Sequence, residues 1–214
     1  MSNSVICTVC NHHCKLMENQ IGFCRARRCI SGEIIDENYG RVTSVALDPV
    51  EKKPLAEWNP GCCLLSIGSY GCNLRCPFCQ NWEISQTGEY DVGWQKISPE
   101  KLIKLALVAH KQNSRMIGIA YTYNEPLVGW EYVRDCALLA HKVDLATVLV
   151  SNGCVNAAVI DKIAPLINAA NIDLKSFSAA CYKEYAGNLD LVKNTILRLA
   201  CEKTCHLEIT TLIV

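Results

Sequence analysis

The chain has 214 residues, half of them hydrophobic and a fifth charged, which suits one sizeable soluble domain or a domain with a small appendage. Lys+Arg and Asp+Glu balance at 21 each with no long run of either sign, so the basic footprint of a nucleic-acid binder is missing and nucleic acid is unsupported as a partner. No secretory-type apolar core opens the chain and no run reaches membrane-spanning length, so a cytoplasmic protein without a membrane partner is expected. There the 15 cysteines would be reduced metal ligands or small core residues rather than disulfides.

Residues 1–61 read as a cysteine-rich N-terminal cap. "CTVCNHHC" and "GFCRARRC" are followed by the strand-like pieces "GEIIDENYG" and "RVTSVAL", then by "DPVEKKPLAEWNPG", whose three prolines predict an irregular connection. The rhythm changes over 62–214. "CCLLSIG" is a short apolar run ending at Gly, as a buried strand does. "SPEKLIKLALVAHKQ" predicts a helix capped by Ser98 with Pro99 at its first position. Strands "RMIGIAYTYNEP", "ATVLVSNG", "AANIDLKS" and "HLEITTLIV" then alternate with helices "WEYVRDCALLAHK", "NAAVIDKIAPLI", "SAACYKEY" and "LDLVKNTILRLACEK".

Five strand–helix alternations predict an α/β fold of right-handed βαβ units on a parallel sheet, either doubly wound or a partial (β/α) barrel. Chemistry in such folds gathers at the carboxyl ends of strands, and "GCNLRCPFCQN" follows the first strand directly. Its Cys72, Cys76 and Cys79 have the spacing C-x3-C-x2-C. A closed zinc site takes four protein ligands, whereas three thiolates on a four-iron four-sulfur cluster leave one iron open. A zinc knuckle with a distant fourth ligand is the competing reading. On the later strands, side-chain alternation puts Asn171, Asp173 and Lys175 on one face, and His206, Glu208 and Thr210 on the matching face of the last. An inward polar face suits a partial barrel that encloses a polar ligand.

With the aromatic Phe78 just before Cys79, this loop resembles the radical S-adenosylmethionine (SAM) superfamily. The resemblance implies a partial barrel of that type and a four-iron four-sulfur cluster. The cluster's open iron would hold the amino and carboxylate groups of S-adenosylmethionine, and its reduced form would cleave this cofactor to methionine and a 5'-deoxyadenosyl radical. It also implies an electron donor such as flavodoxin or ferredoxin. "YNEP" stands where the superfamily often has Gly-Gly-Glu-Pro, which makes Glu125, beside Asn124, the expected contact for the cofactor's amino end. Ser151 and Asn152, with Asp173 and Lys175, match further cofactor-contacting positions of the activating-enzyme branch. Strand-end capping is the plain alternative at each.

Across nearly the whole chain, "CTVCNHHC", "GFCRAR", "DPVEKKPL", "PGC", "CQNWEISQ" and "TYNEP" resemble the radical enzyme of the AmmeMemoRadiSam system, a relative of pyruvate formate-lyase activating enzyme. Its substrate, protein or small molecule, does not follow. Tyr123 and Asn124 replace two glycines, Val150 stands where glycyl-radical activases often carry aspartate, and no ferredoxin-like insert lies between Cys79 and Tyr121. Glycyl-radical activation is therefore the second reading, and a non-catalytic iron–sulfur or zinc interaction module the reading of another class. By the same resemblance the family continues with a Pro-Gly turn and a further strand and helix. A truncated enzyme, or an edge covered by another chain, is thus expected after "HLEITTLIV".

In the cap, Cys7, Cys10, Cys14 and Cys24 give C-x2-C-x3-C-x9-C, which could close a zinc site or hold an auxiliary cluster. Zinc is the first expectation, and unligated thiols the alternative. The remaining cysteines are expected as small core residues. His110 and His141 end helices, where a cation suits the dipole. "EKK" at 51–53 is either a solvated turn or, by resemblance, part of a strip beside the cluster.

Overall fold

A computed structural model describes residues 4–213. The chain opens with a minimal antiparallel hairpin, β1 (Val5–Ile6) and β2 (Lys15–Leu16), then a second, β3 (Arg27–Ile30) and β4 (Glu33–Asp36). β5 (Arg41–Val42) pairs with β8 (Gln95–Lys96), and β6 (Ser44–Pro49) leads toward β7 (Cys63–Gly68). After β7 come the short helix α1 (Trp82–Ser85), α2 (Pro99–Gln112), β9 (Met116–Tyr121), α3 (Trp130–His141), β10 (Ala146–Ser151) and α4 (Ala157–Ile163). Strand β11 (Ala169–Asp173), helices α5 (Ala179–Glu184) and α6 (Leu189–Cys201), and β12 (His206–Thr210) complete it.

One six-stranded sheet carries the fold, in the order β12-β11-β10-β9-β7-β6. The five strands expected from the alternation are all parallel, and β6 adds to the edge antiparallel to β7. Parallel strands in sequential order, joined by right-handed crossovers, put their connecting helices on one face and leave the other to curve inward. This one-sided arrangement replaces the doubly wound alternative and is consistent with a partial (β/α) barrel. "RVTSVAL", read as part of the cap, is divided between β5 and β6, and β6 belongs to the main sheet. The helix expected over "NAAVIDKIAPLI" stops at Ile163 and tightens to a 3-10 turn over Ala164–Leu166, because Pro165 cannot continue the backbone ladder.

The registers separate two faces. Leu65, Ile67, Ile119, Leu149, Ala170 and Ile172 point outward and bury against helical residues such as Leu102, Val133, Ile160 and Val192. Inward, Leu64, Ala120, Val148 and Ala169 form a second apolar cluster with Val50 and Leu55. Those two residues belong to a strap, 50–57, that crosses the concave face. The strap begins as a 3-10 turn at Val50–Lys52, and Pro54 O accepts Asn171 Nδ2 at 2.8 Å. At its far end Ala56 N and Glu57 N donate to the Glu208 carboxylate at 2.8 and 3.0 Å. It therefore spans from β6 to β12 and closes the bottom of the half-barrel. Gly118 fits this crowded floor because a Cβ there would meet Ala146 O at 2.2 Å.

Some local expectations change in role. Ser98 does cap α2, with its Oγ accepting Lys101 N at 3.3 Å. His110 and His141 bond Met116 O (2.7 Å) and Thr147 Oγ1 (2.9 Å), so each fastens a helix end to the following strand. Of the scattered cysteines, Cys136 and Cys154 are buried. Cys62, Cys63, Cys181 and Cys205 are half-buried and Cys201 is exposed, since strand ends, α5 and the end of α6 leave them partly uncovered.

At the seam between β4 and the barrel, Asp36 lies opposite Arg27, but the Arg27 guanidinium turns to Val128 O and Glu131. Both Asp36 carboxyl oxygens are left buried without a hydrogen-bond partner among the described residues. Burial pushes its pKa from 3.8 up to about 7 against the pull of Arg27, with Glu131 adding to the rise. Between those values the folded chain holds a proton that the unfolded chain has lost, so stability falls as pH rises through this window, by up to about 1.4 kcal/mol per unit. Asp36→Asn is expected to flatten this dependence. Equal pH slopes for variant and wild type in urea unfolding would contradict it.

Candidate functional site

The loop after β7 is shaped before any ligand enters. Gly71, at φ +88°, has no room for a Cβ, which would meet Cys24 O at 2.4 Å. Asn124 fastens the same turn, accepting Ser69 N at 3.0 Å and donating to Gly71 O (3.0 Å) and Tyr70 O (3.2 Å). Asn73, fully buried, donates to Cys154 O at 2.6 Å and accepts Asn152 Nδ2 at 2.9 Å. With the loop so held, Cys72, Cys76 and Cys79 open onto a cavity of about 340 Å³ at the carboxyl edge of the sheet.

The wall of that cavity carries every barrel residue expected there. Phe78, Asn124, Glu125, Ser151, Asn152, Asp173 and Lys175 line it with the three cysteines, and Pro54 of the strap and Thr210 of β12 also contribute. Glu125 is 2% exposed and its carboxylate is largely engaged. Oε1 accepts Leu127 N (2.9 Å) and Ser151 Oγ (2.7 Å), and Oε2 accepts Asn152 N (2.8 Å). It ties the end of β9 to the end of β10 and keeps spare acceptor capacity on Oε2. Burial raises its pKa to about 7, although those three donors favour the charge.

Around the thiols, burial opposes the charged form while nearby donors and a cation favour it. Leu74 N and Asn152 Nδ2 lie 3.3 and 3.6 Å from Cys72 Sγ. Burial, followed by the charge of Glu125, raises the Cys72 thiol pKa, and burial raises that of Cys76 against the nearby Lys175 cation. Lys175 bonds Asp173 at 3.0 Å and lies 5.9 Å from the Phe78 ring centroid. Burial opposes its charge, but Asp173 and Cys76 outweigh that and its pKa is raised. Three soft thiolate donors on one loop, with N–H groups and a cation beside them, fit a cluster bound by three cysteines.

Residues given no site role by the sequence complete the wall. Tyr123 takes a left-handed φ of 73°, a conformation that favours glycine. Its ring turns into the barrel against Gly68, where a Cβ would meet it at 2.9 Å. Its hydroxyl donates to Asp48 at 2.5 Å and the Lys53 ammonium sits 4.6 Å over the ring. Asp48 also binds Lys52 and Lys53, and these donors hold its pKa well below the carboxylate range despite burial. The "EKK" segment thus divides, with Lys52 toward solvent and Lys53 buried. Tyr123→Phe is expected to lower stability by about 1.5–3 kcal/mol through loss of one bond to a charged acceptor. An unchanged urea midpoint would argue against the network.

The cap cysteines do not enter this cavity. Cys7, Cys10, Cys14 and Cys24 gather on the far side of the cluster loop, where His12 Nε2 meets Asn73 O at 2.8 Å. Among the described residues no three or more Cys, His, Asp or Glu side chains are placed to hold a single metal ion, at either cysteine set.

Residues 66–212 match the Radical SAM superfamily. The chain belongs to the radical SAM superfamily. Membership implies a four-iron four-sulfur cluster and S-adenosylmethionine, the chemistry that the cysteine loop fits. An uncharacterized protein of Methanocaldococcus jannaschii is 35% identical over 99% of this chain, which spans 61% of that protein. The 4-hydroxyphenylacetate decarboxylase activating enzyme of Clostridioides difficile is 25% identical over 76% of this chain and 48% of its own length. Among solved structures, TYW1 with a lysine-pyruvate adduct bound aligns with a TM-score of 0.43 at 21% identity, over 68% of this chain and 54% of that one. The chain thus spans less than two thirds of these curated relatives. No helix among the described residues is long and apolar enough to cross a membrane.

Proposed function

We propose that this radical SAM chain is the hydrogen-abstracting enzyme of an AmmeMemoRadiSam-type system, acting in the cytoplasm on a substrate still to be identified. The observation that carries the reading is the convergence of Cys72, Cys76 and Cys79 with Glu125, Ser151, Asn152, Asp173 and Lys175 on one cavity. When bound, a four-iron four-sulfur cluster with one open iron supplies the electron that cleaves S-adenosylmethionine and so provides the radical for hydrogen abstraction.

The chain's own residues do the binding, orienting and drying. Cys72, Cys76 and Cys79 would hold three irons, with Asn152 and Leu74 donating N–H groups to Cys72. The spare lone pair of Glu125 Oε2 suits an ammonium group of the cofactor, and Asp173 suits hydroxyl donors. Lys175 offsets the negative charge of the thiolates. Val50 and Leu55, packed on the inner strand faces, keep water from entering below. A flavodoxin- or ferredoxin-like protein would deliver the electron.

Glycyl-radical activation is the second reading, favoured by similarity to the decarboxylase activating enzyme. Tyr123 and Asn124 in place of two glycines weigh against it. The test is anaerobic reconstitution with iron and sulfide, then reduction in the presence of S-adenosylmethionine. Methionine and 5'-deoxyadenosine are expected in equal amounts. Protein carrying its full complement of iron and sulfide but releasing no 5'-deoxyadenosine would sink the proposal.

A further inference from the structure

Behind the cluster loop lies a second dense set of soft donors. The β1–β2 hairpin puts Cys7 opposite Cys14, with Cys7 N donating to Cys14 O at 2.9 Å, and Cys10 lies in the turn between them. The segment 22–24 wraps the Cys14 sulfur. Phe23 N donates to that Sγ at 3.4 Å, and a Cβ on Gly22 would sit 3.6 Å from it. Cys7, Cys10 and Cys24 are each 6% exposed. Two-residue strands bury too little to hold such a hairpin by themselves, so a bound group that cross-links it has a clear structural use.

The spacing speaks to the kind of group. A single zinc ion with metal–sulfur bonds of about 2.3 Å needs its thiolates gathered tightly around one point. Neither cysteine set is so gathered among the described residues, and one of the two, Cys72, Cys76 and Cys79, is the cluster loop of a radical SAM protein. A four-iron cluster takes one thiolate at each iron and so holds its sulfurs further apart. We propose that Cys7, Cys10, Cys14 and Cys24 ligate a second iron–sulfur cluster, closed by four thiolates and seated directly behind the catalytic loop.

The intervening contacts tie the two thiol sets together. Arg75 Nη2 donates to Phe23 O at 2.6 Å, and the Phe23 ring is sandwiched between the Arg75 guanidinium at 4.1 Å and the His12 ring at 3.9 Å. Cys24 O abuts Gly71, and His12 meets Asn73 O. Arg75 Nη1 also donates to Cys72 O at 2.8 Å, so one guanidinium bridges the two segments. Each cap thiol gives up its proton as iron binds. The second cluster would thereby fix the backbone of residues 71–75 from behind.

The proposal does not depend on what the cavity's substrate is, and its test leaves the cap intact. The full chain with Cys72, Cys76 and Cys79 all changed to Ala is reconstituted anaerobically with ferrous iron and sulfide. About four iron and four sulfide per chain are expected, against about eight of each in the wild type, by one thiolate per iron. Adding Cys14→Ser to the triple variant should abolish the retained iron. One zinc without sulfide in the triple variant, or no retained metal, would overturn the second cluster. Should the triple variant fail to fold, the wild-type count decides, since about four irons instead of eight overturns it equally.

Discussion

Changing any one of Cys72, Cys76 or Cys79 to Ala is expected to remove the visible absorption of the catalytic cluster and to bring S-adenosylmethionine cleavage down to background. Each thiolate would hold a different iron, and no other thiol lines the cavity to replace it. The contrast is with Cys62→Ala and Cys63→Ala. Cys63 pairs with Pro49 at the start of β7, the end of the strand remote from the loop, so both changes should leave cluster and cleavage intact. Loss of both properties on a Cys63→Ala change in a folded protein would remove the three-ligand assignment.

Glu125→Ala should produce the largest loss of stability of any single change at the cavity wall. Three donors, Leu127 N, Ser151 Oγ and Asn152 N, lose their acceptor inside a buried site. Each bond to a charged acceptor contributes about 1.5–3 kcal/mol, and because the three are coupled the expected total is about 3 kcal/mol or more. Glu125→Gln should fall between, since its amide keeps one acceptor oxygen but turns an NH2 toward a donor. Urea unfolding of cluster-free protein at pH 8, above the raised Glu125 pKa, is the measurement. A Glu125→Ala midpoint equal to wild type would show that the carboxylate does not brace the strand ends.

Much of this architecture could be read in advance, because it rests on local pattern. The C-x3-C-x2-C loop, the five parallel strands and the inward placement of Asn171, Asp173 and Thr210 all follow from short-range spacing. The choice between a doubly wound sheet and a half-barrel did not, since alternation says nothing of strand order. The alternation of "SVALDP" marks a strand but not the partner it joins. Roles that depend on distant partners were not legible. Asn124, expected at the cofactor by resemblance, lines the cavity and also fastens the backbone of residues 69–71. Tyr123 looked like a departure at a glycine position, and its ring instead fills space that Gly68 leaves open. The burial of Lys53 depends on Asp48 and on a tyrosine seventy residues further along.

The strap under the barrel bears on how the chain assembles. Its anchor joins Ala56 and Glu57 to Glu208, partners about 150 residues apart in sequence. Loop-closure entropy sets a high cost on such a contact until the strands between have aligned, so the floor is completed late even though its residues are made early. A nascent chain emerging from the ribosome has its cluster loop, at 72–79, well before β12 exists to pin the strap. Until that moment the thiols stand over an open-bottomed sheet. A cluster arriving before β12 has paired would meet an open-bottomed sheet, and one arriving afterwards a closed floor, so topology sets which of the two it finds.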